Sequence, residues 1–140
     1  MKIGILKETR EFENRISVSA ETVKKLVASN HSVFIESGAG SESYTSDEEL
    51  IESGAQISSD LSDVDLIFKV NPPNSNELEK IKDNSSIISF FQIKDELENI
   101  QSYINEKLTV FSMSHIPRTT LAQDMDALSS QSNIAGYKAV

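Results

Sequence analysis

Short apolar runs alternate with amphipathic stretches along the whole chain. Lys2–Leu6 (KIGIL), Ser32–Glu36 (SVFIE), Val64–Val70 (VDLIFKV), Ser86–Phe91 (SIISFF) and Thr109–Met113 (TVFSM) are rich in Val, Ile and Phe, and each reads as a strand. The stretches between them carry helical spacing. Ala20–Asn30 sets Val23, Leu26 and Val27 on one side and Lys24 and Lys25 on the other, with Ser19 as its N-cap. Ser46–Ser53 opens on a Ser46-to-Glu49 capping pattern. Ser75–Lys82 reads as a polar helix, and Lys94–Lys107 as one with Leu97, Ile100 and Ile104 on a common face. A last helix is expected from about Ala122 onward, with Leu121, Met125, Leu128, Ala135 and Ala139 spaced by three, four or seven. Asn71–Asn76 (NPPNSN) is a rigid loop and not a domain boundary, because the same pattern lies on both sides; residues 1–140 read as one domain.

Strands of this composition separated by helices pair in parallel with both faces covered, through right-handed crossovers. The expectation is a three-layer α/β/α domain with a five-stranded parallel sheet in the flavodoxin-like order 2-1-3-4-5. Ligands of such sheets collect outside the carboxyl ends of the strands. The segments to watch are therefore Lys7–Arg15, Ser37–Ser43, Asn71–Asn74, Gln92 and Ser114–Asp126.

Composition narrows the chemistry. The 140 residues can bury roughly 70% of their unfolded surface without staples. No cysteine is present, which excludes disulfides, a thiol nucleophile and cysteine-bound zinc. Lys and Arg number 13 against 22 Asp and Glu, a formal charge of −9 that repels phosphate backbones, so no nucleic-acid partner is expected. The opening MKIGILKETREFENR is too charged for a signal peptide, and the apolar runs are too short to span a bilayer; the chain is expected to be soluble.

Gly38-Ala-Gly40 after the second strand resembles the start of a dinucleotide fingerprint, but the third glycine and the following helix are missing, so a turn is expected. His31 reads as a surface residue at a helix end, and His115 follows the fifth strand; two histidines far apart give no metal-ligand spacing, and no metal site is expected. Ser129 and Ser130 have no base at helical spacing. Arg15 either meets an anion in the mouth of the sheet or pairs with Glu11 or Glu13. Arg118, Gln123 and Asp126 offer a guanidinium fork, an amide and a carboxylate, a set that can hold a carboxamide or a ribose. The plainer alternative is that Asp126 caps the last helix and Gln123 is solvated.

Four blocks, MKIGILKETREFENR, ESGAGSESYTSDEEL, DLIFKVNPP and IPRTTLAQDMDALSSQSNIAGYKAV, resemble in order the N-terminal part of the alanine dehydrogenase and nicotinamide nucleotide transhydrogenase family. The last block resembles the transhydrogenase branch, specifically its NAD(H)-binding alpha subunit. Alanine dehydrogenases carry a Lys and a His for their substrate where this chain has Asn71 and Gln92; Gln cannot exchange a proton near neutral pH. The resemblance implies that Arg118, Gln123, Asp126 and Ser129 bind the cofactor, with Gln123 and Asp126 in the catalytic centre. It implies hydride transfer between NAD(H) here and NADP(H) on a partner component, coupled to proton translocation. It further implies paired alpha subunits, an NADP-binding beta component with a membrane domain, and a place on the cytoplasmic face of the bacterial inner membrane. An amino-acid dehydrogenase and a non-catalytic dimerisation module stand as alternatives. Leu6 in place of Pro, and Ser19-Ala20 in place of Thr-Pro, depart from the family without touching these residues.

In the family the last helix leads into a Rossmann domain that holds most of the NAD, and that domain is not among these residues. The 140 residues by themselves are expected to bind NAD weakly or not at all. Calorimetric titration checks this, and tight binding would contradict it.

Overall fold

The computed structural model describes residues 1–92 and 100–139. Six strands form one sheet: β1 (Lys2–Ile5), β2 (Ser32–Glu36), β3 (Gln56–Ser58), β4 (Leu66–Phe68), β5 (Ser86–Ser89) and β6 (Thr109–Ser112). All neighbours pair in parallel, in the order β3-β2-β1-β4-β5-β6. The expected sheet of five strands ordered 2-1-3-4-5 is thus corrected by one strand. Gln56-Ile57-Ser58 adds itself outside β2. A three-residue edge strand pairs on one side only and has one apolar residue between two polar ones, so it leaves no periodic signal.

The register sorts the strand side chains onto two faces. Ile3, Ile5, Val33 and Ile35 point into one core, closed by Val23 of α1 (Ala20–Ala28) and Leu50 of α2 (Asp47–Glu52). Gly4, Phe34, Ile67 and Ile87 lie in register on the alternate positions. There Ile67 and Ile87 join Val64, Leu78 of α3 (Ser75–Leu78), Ile81, Phe91 and Tyr103 of α4 (Ile100–Asn105) in a second core. The result is the expected three layers. Gly4 has no room for a side chain: a Cβ there would stand 2.9 Å from a Val64 methyl.

Local chemistry sets the helix starts. Ser19 Oγ accepts from Thr22 N at 3.2 Å, and Ser46 Oγ from Glu49 N at 3.2 Å. Asn74 and Glu77 form a reciprocal capping box. The expected helix 75–82 stops at Leu78, although Ile81 in the following turn still reaches the core. In the expected helix 94–107, Leu97 lies outside the described residues. Tyr103, not Ile104, faces the core: Ile104 is 61% exposed.

The last helix is also corrected. Thr120–Met125 is a 3₁₀ turn that ends at Asp126, and α5 runs over Ala127–Ala139. The change of pitch breaks the stripe from Leu121 to Ala139. No residue of α5 is buried, and Leu121, Met125 and Leu128 are exposed.

Ile67, 1% exposed on a central strand, gives a test of this core. Ile67→Ala is expected to cost about 2–5 kcal/mol in urea unfolding. Ile51→Ala, at a site 52% exposed, is expected to change stability by about 0.5 kcal/mol or less.

Candidate functional site

The segment after β6 folds as a series of short turns. Met113–His115 is a 3₁₀ turn, Thr120–Met125 is a second one, and Asp126 is the hinge before α5. This path brings Arg118, Gln123, Asp126 and Ser129 together as lining of one open cavity of about 330 Å³, with Thr119 and Thr120 completing it. The capping reading of Asp126 holds. Its Oδ1 accepts from Ser129 N at 3.1 Å and its Oδ2 from Ser129 Oγ at 2.5 Å, so it caps the helix, and the expectation that Ser129 has no base at helical spacing is corrected: the carboxylate stands three positions before it. It also faces the cavity. The two Ser129 hydrogen bonds, with Arg118 nearby, hold its carboxyl below the usual Asp range. The Gln123 side chain has no hydrogen-bond partner among the described residues, which leaves a donor and an acceptor available to the cavity.

A larger cleft of about 640 Å³ opens at the carboxyl ends of β4 and β5. Phe68, Lys69, Val70, Ile88 and Phe90 floor it, Arg15 stands on one side, and Ala127 and Gln131 of α5 stand on the other. Arg15 is engaged by the protein itself. Its Nε and Nη2 donate to Glu13 at 2.7 and 2.6 Å, and its Nη1 reaches Gln131 Oε1 at 3.5 Å. The ion-pair reading of Arg15 therefore holds, with Glu13 as the partner. The guanidinium is the main cause that draws the Glu13 carboxyl from 4.5 down to about 2. The Glu13 carboxylate in turn raises Arg15.

The glycine pair after β2 is a turn. Gly38, at φ +72°, donates its N–H to both oxygens of Asp47 at 3.0 and 3.1 Å. The anion held there is the protein's own carboxylate, so the amide is not free for a phosphate. His115 Nδ1 lies 2.8 Å from Ser112 Oγ, whose proton goes to the Phe91 carbonyl. The ring therefore donates from Nδ1. His31 is half-buried and its Nδ1 has no hydrogen-bond partner among the described residues. Among the described residues no group of three or more possible metal ligands assembles.

The model of the family described as "Alanine dehydrogenase/PNT, N-terminal domain" matches residues 4–135. The chain belongs to this family. It is 34% identical to NAD(P) transhydrogenase subunit alpha of Haemophilus influenzae over 142 aligned positions, covering all of this chain and 28% of that protein. Its fold superposes on the crystal structure of transhydrogenase from Sinorhizobium meliloti with a TM-score of 0.95 at 36% identity, over 99% of this chain and 42% of that one. An L-alanine dehydrogenase structure aligns less well, with a TM-score of 0.77 at 26% identity, over 81% of this chain and 32% of that one. The chain thus spans less than half the length of each of these relatives.

Asn71 and Gln92, the two positions at which the resemblance leads one to expect a Lys and a His in alanine dehydrogenases, are internally bonded amides. Asn71 Nδ2 donates to Glu8 at 3.1 Å and Glu13 at 2.9 Å, and its Oδ1 accepts from Arg10 at 3.1 Å. Gln92 Nε2 donates to Ser114 Oγ at 3.2 Å. Sequence reasoning missed the charges beneath them. Glu8, with its side chain 3% exposed, meets Lys69, 1% exposed, at 3.3 Å, and Glu77 completes the group at 3.4 Å from Lys69. The one available signal was a lysine inside the apolar run LIFKV. Gln131 was missed because nothing distinguishes it from a solvated helix glutamine.

A carboxyl whose folded value lies below its unfolded one stabilises the fold fully above the unfolded value and loses that effect as pH falls toward the folded one. For Glu13 the window runs from 4.5 down to about 2. Acid unfolding followed by circular dichroism is expected to lose steepness in that window in Glu13→Gln. An unchanged profile would show that the pair with Arg15 does not couple to folding.

Proposed function

We propose that this chain is the N-terminal part of the NAD(H)-binding alpha subunit of a proton-translocating NAD(P) transhydrogenase. The observation that carries the proposal is the convergence of Arg118, Gln123, Asp126 and Ser129 on one cavity beyond the carboxyl end of β6. The cavity accommodates a flat ring bearing a carboxamide, and its guanidinium, amide, carboxylate and hydroxyl groups complement the donor and acceptor edges of that carboxamide.

The bound nicotinamide supplies the hydride chemistry. What the chain must provide is a fixed ring orientation and the exclusion of competing proton exchange. Transfer between two nicotinamides needs proximity and alignment, with no acid or base from the protein. None of the six residues lining the cavity is a histidine, and its one carboxylate, Asp126, is pushed to lower pKa. Gln123 and Asp126 are assigned to orient the ring, Arg118 to bind and polarise the carboxamide side, and Ser129 to fix Asp126. Asn71 and Gln92, both tied to neighbouring side chains, give no support to amino-acid oxidation.

The finer parts of the proposal concern the assembly. NAD(H) is assigned to this subunit and NADP(H) to a beta component, with paired alpha subunits at the cytoplasmic face of the bacterial inner membrane. Among the described residues no helix is long and apolar enough to cross a membrane, so the membrane contact is assigned to other parts of the complex.

In the intact natural protein, Gln123→Ala is expected to slow hydride transfer by about a hundredfold, the order of effect of a misplaced reacting ring, while weakening NADH binding by only about threefold. Asp126→Asn, which keeps a helix-capping acceptor, should act in the same direction. Stopped-flow transfer rates and calorimetric affinities measure the two effects separately. Unchanged transfer in both variants would remove these residues from the mechanism.

A further inference from the structure

Among the described residues, five other than glycine have a positive φ: Phe12, Asn30, Tyr44, Asn84 and Lys107. Asparagine tolerates that conformation, and Lys107 closes the turn after α4 with its N–H on the Ile104 carbonyl. Phe12 and Tyr44 have no such local reason. Phe12, at φ +64°, is the third residue of a turn closed by Glu13 N on the Arg10 carbonyl, and Tyr44, at φ +58°, ends the 3₁₀ turn Ser41–Ser43. Both are positions that favour glycine. Both side chains are nearly bare, Phe12 at 92% and Tyr44 at 99% exposed. Each aromatic residue therefore costs backbone strain and gains nothing from burial within this chain.

The two residues belong to one rim. Phe12 lies in the loop after β1 and Tyr44 in the loop after β2, and these strands are neighbours. Arg15, Ser43 and Thr45 of the same loops line the large cleft. Phe12 and Tyr44 line neither that cleft nor the Arg118–Asp126 cavity, so they are posts on the rim and not walls of a concave small-molecule site. Glu11 and Glu42 stand beside them, exposed, and neither joins an ion pair among the described residues. Of the cations in the first loop, Arg15 is paired with Glu13, Arg10 donates to Asn71, and Lys7 Nζ lies 3.9 Å from where a Cβ of Gly38 would be.

Bare aromatic posts beside free carboxylates complement a basic protein surface. The rings fill hollows, and Arg or Lys side chains stack on them and meet the carboxylates. The same carboxylates repel phosphate backbones and anionic lipid. A second copy is disfavoured too, because a twofold contact would set this rim's carboxylates against their own kind. Resting on the reading of the chain as part of a transhydrogenase, we propose that Phe12 and Tyr44 anchor a docking surface, at the rim of the large cleft, for a basic face of the NADP-binding component.

The test measures the affinity of the intact natural protein for the purified NADP-binding component by calorimetry. Phe12→Gly and Tyr44→Gly remove the rings and suit the left-handed backbone. Each variant is expected to unfold at a urea concentration no lower than the unaltered protein, yet to bind the component about tenfold more weakly, the scale of an anchoring aromatic. Tyr44→Phe keeps the ring and should keep the affinity. Glu11→Lys combined with Glu42→Lys should weaken binding and flatten its decline with rising salt. Undiminished affinity in both glycine variants would overturn the assignment. So would a lowered urea midpoint accompanying the loss, which would make the rings structural, or a loss of self-association in place of component binding. The readouts separate the two levels. If the component binds the glycine variants as well as the unaltered protein while Gln123→Ala slows transfer, only the rim assignment falls. If the component does not bind the unaltered protein, and Gln123→Ala and Asp126→Asn are both silent, the transhydrogenase reading falls with it.

Discussion

The carboxylate of Glu8 holds the mouth of the sheet together. It accepts from the backbone N–H of Val70 at 2.6 Å and of Asn71 at 3.2 Å, from Asn71 Nδ2, and from Lys69 Nζ. Parallel strands run out of partners where they end, and buried amide groups must be satisfied by something else. Here a side chain from the loop after β1 satisfies the end of β4. A buried charge is tolerated only when it is paired and hydrogen-bonded, and Lys69 with Glu77 meets that condition. The loop after β1 is thereby fixed against the central strands. Through Asn71 and Glu13 the same network reaches Arg15, and through Arg15 it touches Gln131 on α5. A polar bond from Arg15 to Gln131 thus connects the two sides of the large cleft.

Legibility in the sequence followed the physical strength of each signal. Strands buried on both faces, such as β1 and β2, announce themselves as unbroken apolar runs, and their parallel pairing follows from the helices between them. β3 did not, because an edge strand with a single apolar residue has no period to detect. Ser19 and Ser46 marked helix starts because an N-cap needs a side-chain oxygen at a fixed offset. The break at Asp126 was invisible: apolar spacing continues through it, and only the change from 3₁₀ to α pitch reveals it. In the site, Arg118, Gln123, Asp126 and Ser129 lie within twelve positions of one another, so local folding alone could gather them. Gln92 and Ser114 are 22 positions apart, and Glu8 and Lys69 are 61 apart. Such groupings depend on strand order and register, which composition does not encode.

Asp126 is at once the cap of α5 and part of the lining of the cavity after β6. As a helix cap it is anchored by Ser129, and that anchoring keeps it ionised and fixed in direction. A free surface carboxylate would rotate and would exchange a proton more readily. The bonds that start α5 thus also fix the direction of the carboxylate at the cavity wall.

Gly4 carries a consequence of a different kind. The space its missing side chain leaves is filled by Val64, in the segment leading into the neighbouring strand. The two positions share a single volume, so neither can drift alone. A methyl gained at position 4 is tolerable only in a lineage that has already trimmed position 64, and a bulkier residue at 64 has nowhere to expand. Related sequences that depart from glycine at the first site should record that order of events as a correlated change at the second.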